Sequence, residues 1–179
     1  MREPHPSEAG APVSRAARST SDLLPSNCHP KLRRLLEYWQ SIRPLGSQLP
    51  GRQHFDPTDV VELLPWIWLL DIQRDPLRFR YRVLGNEQVL AIGANPIGRW
   101  LDEVHPEFVT HLHYEDYVRL ALAGTPSFRR GLPAFHTDKR FVSLQRLLLP
   151  LARDGMIVDM LLAVTVYLAS NEATRFAQS

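Results

Sequence analysis

Apolar and polar positions alternate most regularly between Leu64 and Trp100, in LPWIWLLDIQRDPLRFRYRVLGNEQVLAIGANPIGRW. Trp66, Trp68, Leu70 and Ile72 fall on one side of a first run, Trp66–Gln73. Phe79, Tyr81 and Val83 fall on one side of a second run, Leu77–Gly85, with Arg78, Arg80 and Arg82 opposite. A two-residue period rich in aromatic and β-branched side chains predicts two strands, here joined by the turn Arg74-Asp75-Pro76. After Gly85 the pattern shortens. Glu87–Ile92 reads as one or two helical turns stopped by Gly93, and Asn95-Pro96 and Gly98 punctuate a tight, irregular segment beyond it.

Upstream, His29–Ile42 predicts a helix. Pro30 suits its first turn, and Leu32, Leu35, Leu36 and Trp39 recur at helical spacing. A short helix over Thr58–Leu63 is expected with Asp56 as its cap. The connection before it carries Arg52 and His54, which are expected to be solvated. Downstream, Arg99–Val104 predicts a short turn. Glu107–Ala123 predicts the main helix, ended by Gly124 and Pro126. Ser127–His136, Arg140–Leu151 and Ile157–Leu168 read as strands, the last two joined by the hairpin signal Arg153-Asp154-Gly155-Met156. Five antiparallel strands with helices inserted after the second define an α+β sheet with a helical cover on one face, preceded by an N-terminal helix. A pocket is expected between sheet and cover.

Composition narrows the class. The chain has 179 residues, 44% hydrophobic and 22% charged, with a net charge of +2, so charge gives no argument for nucleic acid. The arginine row on the second strand reads as a solvated face. Phe79 and Tyr81 point away from it, whereas single-strand binding wants aromatics beside the basic groups. Cys28 is the only cysteine, so no intrachain disulfide forms and a reducing cytoplasm is expected. The longest apolar run, Met160–Ala169, is too short to span a bilayer. Residues 1–28 read as a disordered tail, 29–169 as the domain and 170–179 as a frayed end.

In this order, Tyr38-Trp39, Ile42-Arg43-Pro44, Leu49-Pro50-Gly51-Arg52, Phe55-Asp56-Pro57, Leu63-Leu64-Pro65, Phe79–Asn86, Gly93, Gly98-Arg99, Leu149-Pro150-Leu151 and Asp154-Gly155 resemble the PAS domain family. The likeness is to its bacterial stand-alone group, in which a tryptophan-bearing helix precedes the sheet. It covers roughly residues 30–168. The resemblance implies a non-enzymatic sensory or interaction module. Such a module binds a small ligand between sheet and helices, or dimerises, and signals through another protein. Flavin photochemistry is not expected, because Cys28 lies far from the helix after the second strand. Haem is not expected either: His111 and His113 are two apart on the predicted main helix and diverge. The cofactor is left unknown. A homodimer and an unidentified signalling partner are expected, with no nucleic acid, membrane or metal.

Family position and pattern together nominate Tyr81, Val83, Asn86, Val89, Leu90, Ile97, Trp100, Leu112, Leu144 and Leu162 as ligand-binding, though plain core packing accounts for each equally well. Asn86 is expected to cap the short helix after it. Leu35, Leu36, Trp39, Trp66 and Trp68 are nominated for a dimer interface. No catalytic residue is nominated: the sequence has no GxSxG motif and no phosphate-binding glycine loop, and Glu115 and Asp116 diverge on their helix. A small enzyme or carrier would need convergent polar groups in the pocket, and few are expected there. A ligand-free scaffold is the third reading.

Overall fold

The alternating runs pair into one sheet. The computed structural model describes residues 23–46, 48–133, 143–170, 172 and 176. The strands are β1 (Ile67–Arg74), β2 (Leu77–Leu84), β3 (Ser127–Gly131), β4 (Ser143–Leu151) and β5 (Met160–Leu168). They run antiparallel in the order β2-β1-β5-β4-β3, with β2 and β3 at the edges. The helices are α1 (Pro30–Ser41), α2 (Asn86–Ile92), α3 (Leu101–Val104) and α4 (Tyr114–Ala123). Positions 134–136 and 140–142 of the two expected strands lie outside the described residues, as do positions 1–22 of the expected tail.

The helices α2–α4 cover one face of the sheet, as expected, and the N-terminal helix α1 packs on the other. Leu32, Leu35, Leu36 and Trp39 of α1 pack on Leu147, Leu149, Leu162, Val164 and Val166. The helix starts as its sequence dictates: Pro30 occupies the first turn, and His29 Nδ1 accepts from the backbone N–H of Lys31 at 3.2 Å. The Trp39 indole N–H donates to the carbonyl of Pro150 at 2.9 Å, inside the core. On the other face, α2–α4 bury Trp68, Leu70, Phe79, Phe108, Tyr117, Leu120 and Leu161. Phe79, Phe108 and Tyr117 meet edge to face there, with ring centroids 5.0 to 6.0 Å apart.

Residues ahead of α1 join its core. Leu24 and Cys28 are buried in the α1-side core, and Arg33 donates to the carbonyls of Pro25 and Ser26. In the expected frayed end, Phe176 packs on the same core, and its carbonyl accepts from Asn27 Nδ2 at 3.0 Å.

The main helix is shorter than the periodicity predicts. Phe108–Thr110 forms a 3-10 turn, His111 is extended, and α4 starts only at Tyr114. The break lets Phe108 reach the core while Leu112 stays 75% exposed. Gly124 ends α4 with a left-handed φ of 60°, the conformation that glycine adopts without a Cβ clash.

Candidate functional site

Strand alternation decides what faces α2–α4. On β5 these are Leu161, Ala163, Thr165 and Tyr167, and on β4 Leu144, Arg146 and Leu148. On β3 it is Arg129, directly opposite Arg146. On β1 the strand begins at Ile67, so Trp68, Leu70 and Ile72 face the cover. Trp66 precedes the strand and packs with the α1-side core, where Lys31 Nζ sits 4.0 Å from its ring centroid.

A one-residue bulge reorders β2. Leu69 pairs with Val83 but Leu70 pairs with Tyr81, leaving Arg82 as the extra residue. An extra residue inverts the alternation beyond it. Val83 therefore leaves the cover side and is 42% exposed, and Leu84 takes its place. The Gly85 N–H then closes onto the Ile67 carbonyl at 2.8 Å.

Between sheet and cover lies a cavity of about 60 Å³, lined by Trp68, Tyr81, Leu84, Gln88, Ile92, Leu101, His105, Tyr117, Arg129, Leu144, Arg146, Thr165 and Tyr167. Many of these groups are polar, against the expectation of few. Trp68 Nε1 donates to Thr165 Oγ1 at 3.0 Å, and Gln88 Nε2 donates to the Thr165 carbonyl at 2.7 Å. The Tyr81 hydroxyl and His105 Nε2 stand 3.3 Å apart. Burial raises the Tyr81, Tyr117 and Tyr167 phenols, Tyr167 to about 12, and lowers the His105 imidazole. At neutral pH all four are uncharged, so the Tyr81–His105 contact joins two neutral groups and activates neither.

Arg146 is the exception. It is 6% exposed. Its Nη1 donates to the Tyr117 hydroxyl at 2.9 Å, and the guanidinium carbon lies 5.1 Å from the Tyr117 ring centroid. Nε and Nη2 are buried with no acceptor among the described residues. Burial and the charge of Arg146 pull Arg129 down to about 10, which leaves it still charged at neutral pH. Burial, followed by the charges of Arg129 and Arg146, lowers His113 to about 4. The carboxylate whose field reaches Arg129 is Asp116, which is paired with Arg119. Among the described residues, none that lines the cavity is acidic.

Of the nominated ligand residues, Tyr81 and Leu144 line this cavity. Val89 packs beside it on α2, whereas Leu90 and Ile97 are 70% and 48% exposed. Leu112 is exposed in the break before α4. Leu162 faces α1, because its neighbours Leu161 and Ala163 take the cavity side. Trp100 covers the outside of β2, stacked by Arg78 and Arg80 at 4.4 and 5.5 Å. Asn86 is exposed and is the first residue of α2. Gly85 takes the cap position without a side-chain bond, so Asn86 does not cap. Leu35, Leu36 and Trp39 are consumed by the chain's own core, and Trp68 by the cavity wall, so none of the four offers a dimer surface.

The arginine row is ion-paired rather than merely solvated. Arg78 holds Asp102 and Glu103, and Arg80 and Arg82 share Asp71. Arg52 and His54 brace their own turn: Arg52 Nη1 donates to the Phe55 carbonyl, and His54 Nδ1 accepts from the Gly51 N–H. His111 and His113 precede α4 instead of lying on it, with ring centroids 4.8 Å apart. Among the described residues no three His, Cys, Asp or Glu side chains assemble to hold a metal, and no helix is long and apolar enough to cross a membrane.

The cavity residues missed from the sequence carried a signal. Arg146, Thr165 and Tyr167 are polar positions inside two largely apolar runs, and pairing puts all three on one face. A charged residue in a strand buried on both sides has to be either paired or functional.

A five-stranded antiparallel sheet with a small cavity between it and short helices places the chain among α+β domains that enclose a site between sheet and cover. The family model described as "PAS domain" matches residues 27–164. The chain belongs to the PAS domain family, which makes it a sensory domain in the general sense. Among solved structures it is similar to the crystal structure of a sensory box sensor histidine kinase from Vibrio cholerae. The identity is 12% and the TM-score 0.45, covering 63% of this chain and 88% of that one. No curated protein matches.

Proposed function

We propose that this domain is a non-enzymatic sensor that takes a small ligand in the cavity between the sheet and α2–α4. It passes occupancy on by associating with a second copy or a signalling protein. The observation that carries the reading is Arg146: a guanidinium 6% exposed, with two nitrogens lacking an acceptor among the described residues, in the wall of a cavity. A filled scaffold gains nothing from such a group, because an unpaired buried charge costs several kcal/mol, on the order of a buried ion's desolvation. The enzyme reading has one pair in reach, Tyr81 and His105, and both shifts run away from an activated base or nucleophile.

Signalling requires that the ligand favour one of two states of the surface. Native mass spectrometry of the purified protein tests both halves. A retained small mass, together with a change in oligomeric state or partner capture when it is stripped, is the expected result. A single species with no added mass, unresponsive to a ligand library, would end the sensor reading.

A further inference from the structure

Given the sensor reading above, on which this inference rests, the charges in the cavity wall specify the ligand.

Arg129 and Arg146 are cross-strand neighbours on the cavity face, and both line the cavity. Like charges directly opposite each other destabilise a sheet, and burial sharpens the repulsion. Arginine does not escape by losing its proton. The other polar groups that line the cavity among the described residues are neutral: Tyr81, Tyr117, Tyr167 and His105, with Trp68, Gln88 and Thr165. Among the described residues, the wall therefore has an excess of positive charge and hydrogen-bond donors with no acid in its lining.

The pattern of orphaned atoms is more specific than the charge. Nη1 of Arg146 is occupied by Tyr117, and the atoms left over are Nε and Nη2. These two N–H groups form one side-on edge of the guanidinium, the edge that grips two coplanar oxygens through parallel hydrogen bonds. The same edge is in use elsewhere in this chain. Arg78 donates from Nε to Asp102 Oδ2 at 3.1 Å and from Nη2 to Asp102 Oδ1 at 3.1 Å. Arg146 has the fork of Arg78 without the carboxylate.

We propose that the cavity is a receptor site for a small carboxylate, gripped side-on by Nε and Nη2 of Arg146, with Arg129 as the second cation. At about 60 Å³ the space holds about four to six water-sized groups, the size of a carboxylate of two or three carbons. Both nitrogens are shielded from water, so the anion reaches them only when a neighbour yields. Arg129, half-buried on the edge strand β3, is the neighbour that an incoming anion would draw over. Occupancy would then reset β3 and the residues that touch it.

The test is thermal melting and isothermal titration calorimetry of the full chain. The probes are sodium acetate, sodium pyruvate and sodium phosphate, with sodium chloride at matched ionic strength and acetamide as the neutral analogue of acetate. At a hundred times Kd, a carboxylate is expected to raise Tm by about 5–10 °C while chloride and acetamide do not. Arg146→Met should weaken carboxylate binding at least ~10-fold. Arg146→Lys keeps the charge but loses the fork, and should weaken it by a similar factor. Arg129→Met should give a smaller loss, and it and Arg146→Lys carry the test if Arg146→Met does not fold.

Equal response to chloride and carboxylates, or wild-type affinity in Arg146→Lys, would overturn the proposal, as would tighter binding of phosphate than of either carboxylate. A neutral compound found in the cavity would overturn it while leaving the sensor reading intact. Absence of any ligand, charged or neutral, would remove both.

Discussion

Arg146 on β4 faces Arg129 on β3 across the sheet, and neither has a carboxylate bonded to it among the described residues. The pair is a local energetic fault in the core, and it makes stability informative about function. In ligand-free protein, Arg146→Met should be neutral or stabilising, by about 1–3 kcal/mol, since replacing buried charge with apolar volume relieves desolvation and repulsion. Urea denaturation of both proteins after refolding checks it. A loss of similar size would mean that Arg146 supports the fold through its Tyr117 contact.

His113 feels the same pair. Its folded pKa of about 4 lies below the ordinary imidazole value, 6.5, through burial and the charges of Arg129, Arg146 and His111, opposed by Asp116. The unfolded chain therefore binds the extra proton first as pH falls. The penalty is absent at neutral pH, grows from about 6.5 downward and levels off below about 4. His113→Gln should flatten the loss of stability in that window, measured by denaturation at pH 7 and pH 5. An NMR titration should place the imidazole below 5, and an anion bound beside the arginines should move it upward. An unshifted His113 titration would contradict the packing described.

The apolar stripe of α1 is core rather than interface. Leu35→Ala should cost about 2–5 kcal/mol and leave the oligomeric state unchanged, by urea denaturation and analytical ultracentrifugation. Trp39→Phe should cost about 1–3 kcal/mol, because the carbonyl of Pro150 loses its buried donor. A variant that keeps its stability but loses a dimer would restore α1 as a contact surface.

Gly85 holds the close passage from β2 into α2. A Cβ there would collide with the carbonyl oxygens of Leu64 and Pro65, and backbone cannot swing aside as a side chain does. Gly85→Ala should destabilise by about 1–3 kcal/mol or more and loosen the α2 wall of the cavity. Hydrogen exchange at the Gly85 and Glu87 amides, which bond to Ile67 and Pro65, is the local readout. Unchanged protection there would show that the passage tolerates a methyl group.

The sequence determined the elements and their order. The two-residue alternation of β1 and β2, the helical spacing of Leu32, Leu35, Leu36 and Trp39, and the stop at Gly124 are local physics, and each appears where its pattern puts it. The motifs of the PAS resemblance likewise run in one linear order. What only the tertiary structure decided is which side each residue faces. A single bulge at Arg82 turned Val83 out and Leu84 in, and no local pattern announces a bulge. Pairing in register brought Arg129, Arg146 and Thr165 from three strands onto one face, although Arg129 and Arg146 stand seventeen positions apart. Hydrophobic spacing marks α1 as apolar on one side but does not say whether the covering surface belongs to the same chain; the outer face of β4 and β5 supplied it. Side-chain direction along a strand is a parity, and one extra residue or one register choice, both set by long-range packing, reverses it.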